Sequence, residues 1–144
     1  MIDANELMLG DIAVCTEYSP DKKAVSRSFV KIIEMSCTLA GVMVDTSLEK
    51  IVQYDELSPA EADEHLLMRL GFKRENSDSP LSLKISDYDI LYVETYFCND
   101  LTIKDTDGNI ELTGHFSYLH ELQNYVRLAT GHELDIDNLI GKQL

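Results

Sequence analysis

The sequence predicts an α+β protein: an N-terminal SH3-like small β-barrel, a capped helix over 59–70, an antiparallel β-region and a C-terminal helix over 117–130. Three observations carry that expectation. Residues 1–57 hold short apolar runs divided by turn chemistry, with no helical period among them. Ser58-Pro59-Ala60-Glu61 has the form of a helix start. Phe116 to Gly131 carries an apolar stripe at helical spacing that ends on a glycine.

In the first part, Ile12, Val14 and Thr16 alternate against Ala13 and Cys15 after a turn at Leu9-Gly10-Asp11. Tyr18-Ser19-Pro20-Asp21 breaks that run with turn residues. Val25, Phe29, Ile33 and Met35 share one face of the next segment and Val30 and Ile32 the other, as in a long bent strand. Leu39–Val44 and Lys50–Tyr54, separated by Asp45-Thr46-Ser47, complete four short strands. So many strands in so little chain are expected to curl the sheet on itself, hence the barrel.

Ser58 is expected to cap the amide of Glu61 and Glu61 that of Ser58, with Pro59 at the first helical position. That helix runs to Leu70, stops on Gly71 in the left-handed region and lets Phe72 fold back on it. Lys73–Pro80 is polar and reads as a loop. Leu81–Ile85 and Ile90–Cys98 follow as strands, the second apolar on both sides and therefore central. Leu101–Lys104 and Ile110–Thr113 flank Asp105-Thr106-Asp107-Gly108-Asn109 as a hairpin. In the last helix Ser117 is the expected cap, and Leu119, Leu122, Val126 and Ala129 form the buried stripe. Leu134 and Ile136 alternate with Asp135 and Asp137, a short edge strand. The chain is expected to form a single compact domain, with a barrel lobe over about 1–57, the helix within 58–72 and a β/α lobe over about 81–144.

The 144 residues are 44% hydrophobic and 26% charged, a globular composition with no run long enough to span a membrane. The N-terminal residues lack the basic start and apolar core of a secretory signal. Cys15, Cys37 and Cys98 form no CxxC pair and are expected as reduced thiols in apolar strands. A cytoplasmic location follows as the expectation. Twenty-six acids against twelve bases give −14, and the excess falls equally on residues 1–72 and 73–144. That field opposes direct binding to DNA, RNA or an anionic membrane. It serves solubility, or else it imitates nucleic acid.

Three stretches carry a resemblance: Ala4-Asn5-Glu6-Leu7-Met8-Leu9-Gly10-Asp11, Leu57-Ser58-Pro59 through Leu70-Gly71-Phe72, and Tyr118-Leu119-His120-Glu121-Leu122-Gln123-Asn124. In them the chain resembles a family of short proteins common in the genomes, phages and mobile elements of Bacteroides-like gut bacteria. Met8 stands where that family usually has arginine, and Asp11 where it has asparagine. The resemblance implies a setting, a bacterial or phage accessory protein, and brings no catalytic residues with it.

The residues themselves supply no catalytic signature. GxSxG, Walker and GxGxxG patterns are missing. His115 and His120 are five apart, whereas metal pairs on a helix need three or four, so no metal or cofactor is expected. Asp105–Glu111 lacks the spacing of a calcium loop and suits a hairpin turn. His120, Gln123 and Asn124 form a polar strip that either binds a ligand or ties the helix internally. Tyr92 and Tyr96, with Tyr88 before them, form either an aromatic platform or part of the core. These five side chains, His120, Gln123, Asn124, Tyr92 and Tyr96, are the candidate binding residues. The leading expectation is a non-enzymatic protein, monomer or homodimer, that binds a protein partner. The alternatives are an acidic DNA mimic that occupies a nucleic-acid-binding host protein, and a small-ligand binder or enzyme using the His120 helix face.

Overall fold

The computed structural model describes residues 6–36, 38–45 and 48–144. They fall into two compact units: Met1–Ala60 with Ile136–Leu144, and Glu61–Asp135. The architecture is α+β, with antiparallel strands in two sheets and two helices. Cys37 and the Thr46-Ser47 part of the expected turn lie outside the described residues. Among those described, no helix is long and apolar enough to cross a membrane.

The first unit is a five-stranded sheet of β1 (Ile12–Tyr18), β2 (Ala24–Met35), β3 (Leu39–Met43), β4 (Glu49–Gln53) and β5 (Leu57–Ser58), in the order β4-β3-β2-β1-β5. Gly10, at φ 90°, makes the turn into β1, and its N–H donates to Ile32 O at 2.7 Å. Ala13, Cys15, Val30, Ile32, Val42 and Val52 share one core with Leu57. Ile12, Val14 and Phe29 are also buried, so β1 is covered on both faces. β2 is bent by an irregularity at Ile32/Glu34, where Gly41 lies opposite Glu34. A Cβ on Gly41 would stand 2.9 Å from Glu34 Cβ, so the bend requires a residue without one.

The closure expected of an SH3-like barrel is not made by hydrogen bonds: β4 and β5 are the two ends of the sheet. Tyr54–Glu56 form a single 3-10 turn that carries β5 across to Val14 and Cys15, and at two residues β5 has little edge to share. Buried Tyr54 donates its hydroxyl proton to Ser36 O at 2.6 Å. The edge strand expected at Leu134–Ile136 does not form, although both side chains are buried. Strand-like pairing comes later in the tail: Phe29 N–H donates to Lys142 O at 3.0 Å and Gly141 N–H to Phe29 O at 2.8 Å.

The second unit is a four-stranded meander, β6 (Leu81–Lys84), β7 (Asp89–Glu94), β8 (Asn99–Asp105) and β9 (Ile110–Phe116), with helices α1 (Glu64–Arg69) and α2 (Leu119–Thr130). α1 is shorter than the helix expected over 59–70. Ser58 belongs to β5, and Glu61 bridges to Tyr118 while Ala62 N–H donates to Ser117 O at 3.0 Å. That pairing holds the chain extended through the positions a helix start would need. Asp63 caps instead, its carboxylate accepting from Leu66 N–H at 2.7 Å. The end is as expected: Phe72 N–H returns to Leu67 O and Gly71 N–H to Met68 O, both at 3.1 Å, with Gly71 at φ 105°.

α2 starts two residues later than expected. Its cap position is Tyr118, and Glu121 reaches back to accept from Tyr118 N–H at 3.0 Å. Leu119, Leu122 and Val126 are fully buried within the chain, and Gly131 ends the helix at φ 70°. The hairpin between β8 and β9 is organised by Asp105, whose carboxylate accepts from Asn109 N–H at 2.8 Å and Asp107 N–H at 3.0 Å, with Gly108 at φ 85°.

Candidate functional site

The candidate binding residues are dispersed. His120 and Gln123 are buried, 2% and 1% exposed. The His120 ring stacks on Tyr118 at 5.9 Å, and its Nδ1 has no hydrogen-bond partner among the described residues. Asn124 Oδ1 accepts from Arg127 at 2.8 Å, and Arg127 in turn donates to both Glu133 oxygens at 2.9 and 2.8 Å. The polar strip of α2 is thus two buried side chains and one tied to an ion pair.

Tyr92 and Tyr96 are not on one strand face. β7 stops at Glu94, because Glu94 pairs with Asp100 of β8 and the residues between must form the connecting turn. Thr95 is held there by Arg74 Nη2, which donates to its hydroxyl at 3.1 Å. Tyr92 remains in the strand, half-buried, with Lys104 Nζ 5.4 Å from its ring centre. Tyr96 and Phe97 stand out on the turn, 87% and 94% exposed, packed edge to face at 4.9 Å. Cys98 follows them in the turn and is exposed, contrary to the apolar strand expected for it, whereas Cys15 in β1 is buried as expected.

Beside this turn lies a groove of about 470 Å³, lined among others by Phe97, Phe116, Tyr118, Glu61, Asp63 and Glu64. Asn99 fixes one wall by donating to Ala62 O at 2.6 Å. Arg74 bonds Glu64 at 3.0 Å, which leaves the carboxylates of Glu61 and Asp63 as the unbalanced charge of the rim. A second groove, of about 540 Å³ in the first unit, joins Tyr18, Leu39 and Ile51 to Asp55 and Glu56. Both grooves have carboxylates and apolar side chains among their lining residues.

One further constellation comes from strand register. His115 of β9 is the cross-strand partner of Asp100 of β8, and Cys98 lies two residues before Asp100. Cys98 Sγ–H donates to Asp100 Oδ1 at 3.3 Å. His115 Nδ1 bonds the same oxygen. The hydrogen bond to Asp100 raises the Cys98 thiol above its ordinary range, with desolvation and the carboxylate charge adding to it. Burial is the main cause of the rise at Cys15. Neither thiol is poised as a nucleophile.

Helix spacing could not have revealed the Cys98/Asp100/His115 group, since its members lie on different elements. The exposed aromatic turn gave no signal either, having no Gly, Pro or Asn before Asn99. In comparisons with models of known families, with curated proteins and with solved structures, the chain matches none.

Proposed function

We propose that the protein is a non-enzymatic accessory protein that binds a protein partner through the Tyr96–Phe97 turn and the groove beside it. The observation that carries this is the exposure of two adjacent aromatic rings next to an acidic groove. Such rings present large, rigid contact area at low entropic cost and are the residue types enriched in interfaces. Glu61 and Asp63 select a partner segment that carries lysine or arginine alongside apolar side chains.

We read the first unit as SH3-like in its strand path: a meander with a long bent β2, and a 3-10 turn that returns β5 to β1. A cytoplasmic setting in a bacterial or phage genome agrees with the three resemblance stretches and with the reduced thiols of Cys15 and Cys98.

The DNA-mimic reading is disfavoured by the interleaving of charge. Lys23, Lys50, Arg74, Lys84 and Arg127 each lie close to a carboxylate, at 3.7, 3.4, 3.0, 3.6 and 2.8 Å. A duplex mimic needs uninterrupted rows of negative charge. Affinity capture from a bacterial lysate separates the two, run with nuclease, a salt series and competing duplex DNA. One stoichiometric protein that resists duplex DNA supports the adaptor. Several DNA-handling proteins released by duplex DNA would replace it with the mimic.

A further inference from the structure

We infer that Cys98, Asp100 and His115 form a three-ligand site for a divalent zinc-type cation on the exposed face of the second sheet. Register and the adjoining turn bring the three together: the pairing of Asp100 with His115 sets the imidazole beside the carboxylate, and the turn that ends at Cys98 brings its sulfur within 3.3 Å of Asp100 Oδ1. The thiol sulfur, a carboxylate oxygen and a ring nitrogen lie within 4.8 Å of one another. Tetrahedral zinc, with bonds of about 2.0–2.3 Å to such donors, spaces its ligands roughly 3.3–3.7 Å apart, so the hydrogen-bonded His115 and Asp100 atoms must separate to admit it. All three side chains are exposed, so rotation about their side-chain bonds can supply the difference without disturbing a core.

The donor set names the metal class. A thiolate and an imidazole beside one carboxylate suit zinc and its spectroscopic substitute cobalt, and are poor ligands for magnesium or calcium, which take oxygen donors. Nothing in the group needs to be buried or unpaired for binding. The cation replaces the thiol proton that now bridges Cys98 to Asp100, which is released to solvent, and the Nδ1 proton that His115 gives to Asp100 is exchanged to Nε2 so that Nδ1 can ligate. Three protein ligands leave the fourth position open to water. Glu94 stands on the other side of Asp100 in the same cross-strand row, where its charge adds to the attraction for a cation. Cys98 also lines the groove beside the Tyr96–Phe97 turn, so the site adjoins the proposed docking surface.

The test is titration of the reduced chain with Co²⁺, followed by displacement with Zn²⁺. One Co²⁺ per chain is expected, with a thiolate-to-cobalt charge-transfer band that Zn²⁺ abolishes. Cys98→Ser removes the band, while His115→Ala and Asp100→Asn each weaken binding by about tenfold or more. His132→Ala leaves it unchanged, and circular dichroism is the same for all variants because the substituted side chains are exposed. No band in the wild-type chain, a band that survives Cys98→Ser, or an affinity unchanged by His115→Ala overturns the assignment.

Discussion

Tyr125 of α2 lies so close to Gly114 of β9 that a Cβ on the glycine would stand 2.8 Å from Tyr125 Cζ and 3.1 Å from its hydroxyl oxygen. The missing side chain is therefore what lets α2 approach the last strand, and with it the buried row Leu119, Leu122 and Val126. Gly114→Ala should destabilise the protein by about 1–3 kcal/mol, the usual cost of overpacking. The cost should shrink in a Tyr125→Leu background, because the clash is with the ring. Denaturant unfolding of the four-member cycle checks this, and additive changes would deny the contact.

The start of α1 gives a second prediction. Asp63→Ala removes the carboxylate that holds Leu66 N–H and should cost about 1 kcal/mol. Ser58 is no cap, and its buried hydroxyl oxygen has no hydrogen-bond partner among the described residues. Ser58→Ala should therefore be neutral, or stabilising by less than about 1 kcal/mol. The reverse ranking, read from thermal midpoints, would restore the helix start at Ser58.

Glu111 sets a pH dependence. Its hydrogen bond to Asp89 is the main cause that lifts its carboxyl above the ordinary 4.5, with desolvation and the charges of Asp89 and Asp105 adding. In that state the folded protein holds a proton the unfolded chain has lost. The resulting stabilisation is complete below 4.5 and disappears as pH rises through the raised value. Glu111→Gln should flatten the stability curve above 4.5 and be the more stable form at neutral pH. Asp105 runs the other way. Hydrogen bonds from Asn109 lower it, so its contribution is present above 3.8 and is lost on acidification. Midpoints measured from about pH 3 to about pH 8 test both signs.

His120 is buried, with its ring stacked on Tyr118. His120→Phe keeps the stacked ring and removes the unpartnered Nδ1, and should change stability by less than about 1 kcal/mol. Leu122→Ala, at a fully buried position on the same helix, should cost about 2–5 kcal/mol. A large loss in His120→Phe would mean the imidazole makes a bond that matters.

Much of the fold was legible because local chemistry and tertiary structure agree. The Ile12–Thr16 alternation, the Gly71/Phe72 helix end, the Asp105–Asn109 hairpin and the α2 stripe all formed where residue patterns put them. The failures came where distant pairing outweighed a local signal. Ser58-Pro59-Ala60-Glu61 is a well-formed start, but the bridge from Glu61 to Tyr118, far along the chain, keeps it extended. The apolar run through Tyr96 and Phe97 reads as strand, yet the Glu94–Asp100 pairing makes it a turn. Asp100, with its near neighbour Cys98, meets His115 only through register, which composition does not record.

Docking through the Tyr96–Phe97 turn is the proposal on which the functional reading rests. Its most direct measurement is affinity capture run in parallel on the wild-type chain, on Tyr96→Ser/Phe97→Ser, and on Tyr88→Ser, which removes a separate ring that is 73% exposed. Both variants should keep the wild-type thermal midpoint, since the rings contribute little burial. The stoichiometric partner should be retained by Tyr88→Ser and lost from the double variant. Equal capture by all three chains would contradict docking at this turn.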